Sequence, residues 1–418
     1  MRYLQKILDR PDVYLVYLPQ KTKNVYVDVF VKTGRLHEPD DKVGVGHLMD
    51  HYINGILYAK YLDRLNTNAW ISQEHLHFHL STASNYVTRD MKRFLDVVFG
   101  PKFTNEELFL FERQSIVNEM KNDYAAVGNR QFQLLTEHRF TPGSPYARST
   151  HLEAENVSRL TLEDLHRHHQ RHFVRGNVVI FIAAHKPQRK TTNELFHLLK
   201  KLDIPEGESP PYPTNAQSGF KIVTEPEADV AGQQYVSLSF PGLSYEYSVE
   251  ERISLNLFCR IFTGLSRHSV FSPLRRAGIY AIDYHNIYYC RFGLVAFWAT
   301  IPPQRLEQFL EVLSASLRSF KEKPLSATFL NSRLKGVRER TRNAWRNNND
   351  LYNWIMEYIL DEGEIRTPKE VFACLKNITP EYLQQLICRV FVREKANLVI
   401  SGQVPSVNRQ TLESWLRF

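Results

Sequence analysis

Two histidines four residues apart, His47 and His51, with Asp50 directly before the second, are the residues of this chain best arranged for chemistry. They lie in Val43-Gly-Val-Gly-His-Leu-Met-Asp-His-Tyr52. On a helix, positions four apart share a face, so two imidazoles there can grip one ion. A carboxylate one position off that face can reach the ion's water. A hydrolytic metal site needs three protein ligands and an open fourth position, so a further ligand has to come from elsewhere in the chain. The segment Phe111-Glu-Arg-Gln-Ser-Ile-Val-Asn-Glu-Met120 offers Glu119, with Glu112 seven residues earlier. Seven residues is close to two helical turns, which puts both carboxylates on one face, and Ile116 turns that face inward. Taken singly, each feature has a plainer reading. A chain with 16 histidines throws up such a pair by chance, and two glutamates on a charged helix are ordinarily surface residues.

At 418 residues and 49.0 kDa the chain is too long for one ordinary core, and two domains are expected. Its 43% hydrophobic and 23% charged residues are those of a soluble globular protein. No apolar run is long enough to span a bilayer, and the first ten residues lack the apolar core of a secretory signal. The cysteines Cys259, Cys290, Cys374 and Cys388 show no C-x-x-C spacing, which predicts unpaired, mostly buried thiols in a reduced, cytoplasmic setting. A net charge of +8 and a pI near 9.1 raise the question of nucleic acid. No dense basic block, RNP-like motif or zinc-finger spacing supports it, and the basic run Arg333 to Arg346 reads as a solvated helix face.

Taken in order, Val13–Leu18 and Val25–Val31 are β-branched and aromatic runs that predict strands. Residues 33–41 form a loop, with Gly44 and Gly46 just before the histidine helix. Asn68–Ser72 and His75–Leu80 predict a further strand or hairpin. Met91, Phe94, Leu95 and Val98 have helical spacing. A long helix follows from about Asn105 through Asn122. Thr161 is placed to cap another, and Val178–Ala183 reads as a buried strand. Residues 205–218 have the composition of an interdomain linker. After it the same order of elements returns, with Tyr235–Gly242 answering the Val25 strand and Ser254–Phe262 the histidine helix. Gly293–Ile301 answers the His75 strand, Ala327–Trp345 the long helix, and Asn397–Gly402 the Val178 strand. The period predicts two related α+β domains, residues 1–204 and 219–418, each a mainly antiparallel sheet packed with helices. In the second copy Asn256-Leu-Phe-Cys-Arg260 stands where the histidines would be.

In combination these features are specific. Gly34-Arg-Leu-His-Glu-Pro-Asp40, Gly44-x-Gly-His-Leu-Met-Asp-His51, Asn68-Ala-x-x-Ser-x-Glu74, Glu112-Arg113 and Val117-Asn-Glu119 together resemble the pitrilysin/insulinase family of zinc metallopeptidases. The nearest branch is the short, two-domain one that includes the mitochondrial processing peptidase. Gly143-Ser-Pro-Tyr146 and Gly264-Leu-Ser-Arg-His-Ser-Val-Phe-Ser-Pro-Leu-Arg275 with Gly278-Ile-Tyr280 extend the likeness over nearly the whole chain. The family's inverted zinc motif is H-x-x-E-H, and here it reads H-x-x-D-H.

The resemblance implies a zinc endopeptidase whose two domains close like a clam over an extended or unfolded peptide. It implies one zinc ion held by His47, His51 and Glu119, with Glu112 orienting a histidine. Asp50 would take a proton from the attacking water and later give one to the leaving amine. Asn68 and Ala69 would begin the edge strand on which the peptide lies as an added strand. Arg275 and Tyr280 would reach the substrate carbonyl from the second domain, at a closer mutual spacing than the family's. The segment between His51 and Asn68 is also shorter than the family norm. The rival expectation is a catalytically weak zinc-binding homologue acting as scaffold to an active peptidase. Either way a homodimer, or a heterodimer with a homologous subunit, is expected, with no membrane or nucleic acid as partner. Of the remaining histidines, His75, His77 and His79 alternate on one strand face and read as lining a polar cleft. His166, His168, His169 and His172 crowd a helix C-terminal half, where positive charge would suit the dipole.

Overall fold

A computed structural model describes residues 3–62, 64–125, 127–187, 189–214, 217, 219–226, 232–403 and 407–418. Its compact units are two. The first comprises Met1–Tyr124, Ser149–Pro213 and Arg342–Ile365; the second comprises Ala125–Arg148, Thr214–Thr341 and Arg366–Phe418.

The first unit is built on six strands: Leu4–Asp9 (β1), Asp12–Tyr17 (β2), Asn24–Val31 (β3), Asn66–Ile71 (β4), Leu76–Ala83 (β5) and Val178–Ala184 (β6). They run in the order β1-β2-β6-β3-β5-β4. Only β2 and β6 pair in parallel. Side chains alternate along each strand, so β3 puts its valines on one face and Tyr26, Asp28 and Phe30 on the other. Val25, Val27, Val29 and Val31 join a core with Leu76, Phe78 and Leu80 of β5. The helices Val45–Tyr61 (α1) and Val87–Phe99 (α2) cover that face, α2 through the spaced Met91, Phe94, Leu95 and Val98. Beyond them come Glu106–Ala125 (α3), Thr150–Val157 (α5), Leu162–His172 (α6) and Arg189–Lys200 (α7), while Val127–Arg139 (α4), which follows α3 in sequence, belongs to the second unit. Thr161 does cap α6, in a reciprocal capping box with Asp164.

The second unit repeats the plan. Lys221–Pro226 (β7), Gln234–Pro241 (β8), Asp283–Tyr288 (β9), Gly293–Ile301 (β10) and Asn397–Gly402 (β11) run in the order β7-β11-β8-β10-β9. Again one pair, β7 with β11, is parallel and the rest antiparallel. Strand for strand this is the order β2-β6-β3-β5-β4 of the first sheet, so the internal duplication read from the sequence is present in the topology. The fold is α+β. Val249–Thr263 (α8) holds the place of α1 and buries Leu255, Phe258, Cys259 and Phe262.

The linear domain boundaries differ from the spatial ones in three places, each for a packing reason. After Phe271–Arg276 (α9), Leu306–Glu322 (α10) and Ala327–Ala344 (α11) comes Asn348–Glu362 (α12), which carries Leu351, Tyr352, Ile355 and Ile359 as a helical stripe. That stripe buries against Tyr14, Val16, Phe30 and Phe181 on the second face of the first sheet. In the other direction, Phe140 and Tyr146 pack on Phe292, with ring centroids 4.6 and 4.3 Å apart, and Asn397 donates its side-chain amide to the carbonyl of His138 at 2.8 Å. The Pro-rich stretch expected as linker is also partly tied down. Arg175 and Gly176 donate backbone N–H bonds to Pro205 and Gly207, both at 2.9 Å.

The strand histidines differ from expectation. They do not line a cleft. On the face covered by α12, buried Asp28 accepts hydrogen bonds from His77 Nε2 (2.6 Å), His79 Nδ1 (2.8 Å) and the Tyr352 hydroxyl. His77 also stacks on Phe30 at 3.9 Å. On α6, burial first and neighbouring positive groups second push His168 well below the ordinary histidine pKa and His172 to about 4. Both are therefore neutral at pH 7, and they bring no positive charge to the helix end. Burial holds His75 at about 3.

These three rings set an acid limit. Each binds a proton near pH 6.5 in the unfolded chain and refuses it in the fold until lower pH. Stability is therefore full above about pH 6.5 and falls on acidification, by up to about 1.4 kcal/mol per pH unit for each ring. Asp50 and Glu38 take up protons in the fold over the same range and work the other way, so the drop is read in an Asp50→Asn/Glu38→Gln background, where the urea midpoint of the first unit is expected to fall clearly between pH 7.5 and pH 5. An unchanged midpoint would show that these rings are not buried neutral.

Of the four cysteines, expected to be mostly buried, only Cys259 is buried; Cys290 and Cys374 are part-exposed and Cys388 is exposed. Among the described residues no helix is long and apolar enough to cross a membrane.

Candidate metal centre

Gly44 starts the site. It sits at φ +91°, where L side chains are strained, and a Cβ there would lie 2.4 Å from Val157 Cγ2. The tight entry places the first turn of α1 against α5. On α1, His47 and Asp50 are buried, at 6% and 2% exposure, and His51 is part-exposed. The two imidazole rings lie 5.0 Å apart.

Each histidine is anchored through Nδ1. His51 Nδ1 lies 3.0 Å from Glu112 Oε2 on α3, and His47 Nδ1 lies 2.8 Å from Glu153 Oε1 on α5. A carboxylate can only accept, so both Nδ1 atoms carry the proton and both Nε2 atoms are left with lone pairs. Those two atoms converge on Glu119. His47 Nε2 stands 3.8 Å from Glu119 Oε1, and His51 Nε2 stands 3.7 Å from Oε2. These gaps are too long for hydrogen bonds. They approach the roughly 3.4 Å that separates two ligands bonded tetrahedrally at about 2.0–2.1 Å to one zinc ion. Two neutral imidazoles and one carboxylate are a zinc donor set, and this side chain geometry fits it.

Asp50 completes the fit. His47, Asp50 and His51 offer ligand atoms within 4.8 Å of one another. Asp50 Oδ2 is buried and takes no hydrogen bond among the described residues. Burial pushes its carboxyl up to about 7, against the pull of His47, His51 and Arg35. A buried carboxylate with no bonded partner is costly unless positive charge stands nearby, and a bound cation would supply it. Burial likewise lifts Glu38 to about 7, with Glu153 adding to the effect. The hydrogen bond to Glu112 holds the His51 pKa above the ordinary value despite desolvation.

Glu112 and Glu119 thus share a face of α3 as the spacing predicted, but Glu119 stands half-exposed at the open side rather than buried against the core. Asn68 and Ala69 lie on β4, the edge of the first sheet, opposite His79 and Phe78. Arg275 lies in the last turn of α9 and Tyr280 follows it; both belong to the second unit and are exposed, Tyr280 by 70%. Glu153 was not foreseen. It lies 106 residues from His47 in sequence, on a short helix whose composition gives no sign of it. Arg35 and Glu38 stood in a recognised motif, yet their spacing to α1 did not reveal what they hold.

Comparison with known proteins gives the family and the fold. Residues 14–144 match the family described as insulinase (peptidase family M16), and residues 159–332 match the peptidase M16 inactive domain. Over 218 residues the chain is 22% identical to a probable mitochondrial-processing peptidase subunit beta of Arabidopsis thaliana, covering 47% of this chain and 40% of that protein. Over 264 residues it is 21% identical to the zinc protease PqqE of Helicobacter pylori, covering 60% and 58%. The chain thus spans less than two thirds of the curated relatives it matches. A chain of Complex III2 from Candida albicans superimposes with a TM-score of 0.81 over 99% of both chains, at 14% identity, which shows a common fold.

Proposed function

The chain belongs to the insulinase (M16) peptidase family, and on that footing we propose that it is a zinc-dependent endopeptidase of extended peptides or unfolded polypeptide segments. The observation that carries the reading is the convergence of His47 Nε2 and His51 Nε2 on Glu119, with Asp50 Oδ2 unbonded beside them. His47, His51 and Glu119 would hold the ion. Zinc, when bound, supplies Lewis acidity that activates a water and polarises a carbonyl. Glu112 and Glu153 keep both imidazoles in the ligating tautomer. Asp50 accepts the proton of the attacking water and passes it to the leaving amine. Asn68 and Ala69, on a sheet edge, offer backbone groups to an added peptide strand, which orders the scissile bond without reading its side chains. Arg275 and Tyr280 are assigned to the substrate carbonyl by resemblance to the family's segment.

A second reading is favoured by Asp50 itself. Aspartate withdraws the carboxylate by about 1.5 Å relative to glutamate. A misplacement of about 1 Å can cost on the order of a hundredfold in rate. The chain would then bind zinc but serve as partner to an active homologous subunit. Two of its relatives, a probable processing-peptidase subunit and a chain of Complex III2, are by name parts of assemblies.

A peptidase assay on zinc-loaded protein with a mixed peptide library separates the two. Wild type is expected to cleave slowly, and Asp50→Glu to cleave on the order of a hundred times faster by restoring the reach of the base. If both are inert with zinc bound, the partner-subunit reading stands and the peptidase reading fails.

A further inference from the structure

The side chains around His47 form a chain of contacts that continues beyond the ligands. Arg35 Nη1 lies 3.2 Å from Glu153 Oε2, and Glu153 Oε1 lies 2.8 Å from His47 Nδ1. Glu153 is only 3% exposed, whereas Glu112, the anchor of His51, is 14% exposed. Although burial works against it, Arg35 and His47 hold the Glu153 carboxyl below its ordinary range.

Arg35 is itself fixed by its backbone. Its N–H donates to Ser72 O at 3.1 Å, and Leu36 N–H donates to Gln73 O at 3.0 Å, both at the turn that follows β4. Only glycine fits at the preceding position, because a Cβ on Gly34 would stand 2.5 Å from the carbonyl of Gln73. Three residues on, Glu38 accepts the N–H groups of Gly44 and Gly46, both at 2.8 Å, and so grips the start of α1. One short segment, residues 34–38, therefore touches the edge-strand turn, the first turn of the metal helix and the anchor of the first histidine.

We propose that Glu153, held by Arg35, is the positioning residue that fixes His47 as a zinc ligand, and that it matters more to metal affinity than Glu112 does. The inference rests on the metal-site reading. Charge-assisted hydrogen bonds gain strength where water is excluded, and Glu153 is the drier of the two anchors. It also has a guanidinium behind it, which prevents it from swinging away from the imidazole. His47 is thereby the rigid member of the ligand pair, and His51, with its more accessible partner, the adjustable one.

The test measures zinc affinity by chelator competition, beside the ring-nitrogen NMR shifts of His47 in metal-free protein. Wild type is expected to show the Nδ1–H tautomer at His47. Glu153→Ala is expected to lose about 10- to 100-fold in zinc affinity and to show mixed tautomers. Arg35→Gln should lose less, Glu112→Ala less than Glu153→Ala, and Glu153→Asp should recover part of the loss. Should Glu153→Ala fail to fold, Glu153→Leu, which fills the space without an acceptor oxygen, carries the same comparison. If Glu153 variants bind zinc as tightly as wild type with an unchanged tautomer, the proposal is overturned while the metal site stands. If wild type itself binds no zinc, the site reading fails instead. Neither result depends on peptidase activity.

Discussion

His47→Ala is expected to abolish tight, one-to-one zinc binding and, with it, all peptide cleavage. The substitution removes one of three ligand atoms, and it removes the one whose ring is locked on both sides, by Glu153 at Nδ1 and by the buried first turn of α1. It also leaves Glu153 as a buried carboxylate that has lost a donor and keeps Arg35. Zinc retained by His51 and Glu119 alone would be weak and exchangeable, since Glu119 is half-exposed and free to move. Calorimetric titration checks this directly. Undiminished one-to-one binding in His47→Ala would place the ion elsewhere in the chain.

The second large effect is expected far from the metal. Asp28→Ala should destabilise the first unit by about 3–5 kcal/mol, the range for removing one partner of a buried charged set. Asp28 is 1% exposed and accepts from His77, His79 and Tyr352 together. Its loss strands the buried His77 ring and the Tyr352 hydroxyl without their acceptor, so α12 loses a charge-assisted tie to the sheet. Despite burial, the two histidines pull the Asp28 carboxyl down to about 2. Its contribution is therefore complete above the unfolded value of 3.8 and disappears only as pH falls toward 2. The urea midpoint at pH 7 should fall in Asp28→Ala, while Asp28→Asn, which keeps an acceptor oxygen, should lose less. Equal stability of Asp28→Ala and wild type would mean that the network adds nothing to the docking of α12.

Much of this architecture can be read from the chain. Strands such as β3 and β6 are dense in β-branched residues, and α2 shows its buried stripe in four residues. The duplication was legible because the same order of strands and helices returns, and the two sheets share one strand order. The pairing of the candidate ligands was legible for a similar reason: His47 with His51, and Glu112 with Glu119, are each spaced by whole turns of a single helix. What was hidden is what depends on tertiary neighbours. Glu153 is placed beside His47 by the packing of α5 on the entry to α1, and no local spacing encodes that. The membership of α12 in the first unit was hidden too, because its stripe of Leu351, Ile355 and Ile359 says that a face is buried but not against what. The strand histidines were misread because alternation gives their common face, while only the arrival of Tyr352 shows that the face is covered.

The central claim is that one zinc ion sits between His47, His51 and Glu119. An anomalous difference map at the zinc edge, from crystals of the zinc-loaded protein, tests it most directly. The account predicts one strong peak within about 2.0–2.2 Å of both Nε2 atoms and of a Glu119 oxygen, with Asp50 beside it and not bonded to it. A peak at the strand histidines or at a cysteine, or no peak at His47 and His51, would contradict it.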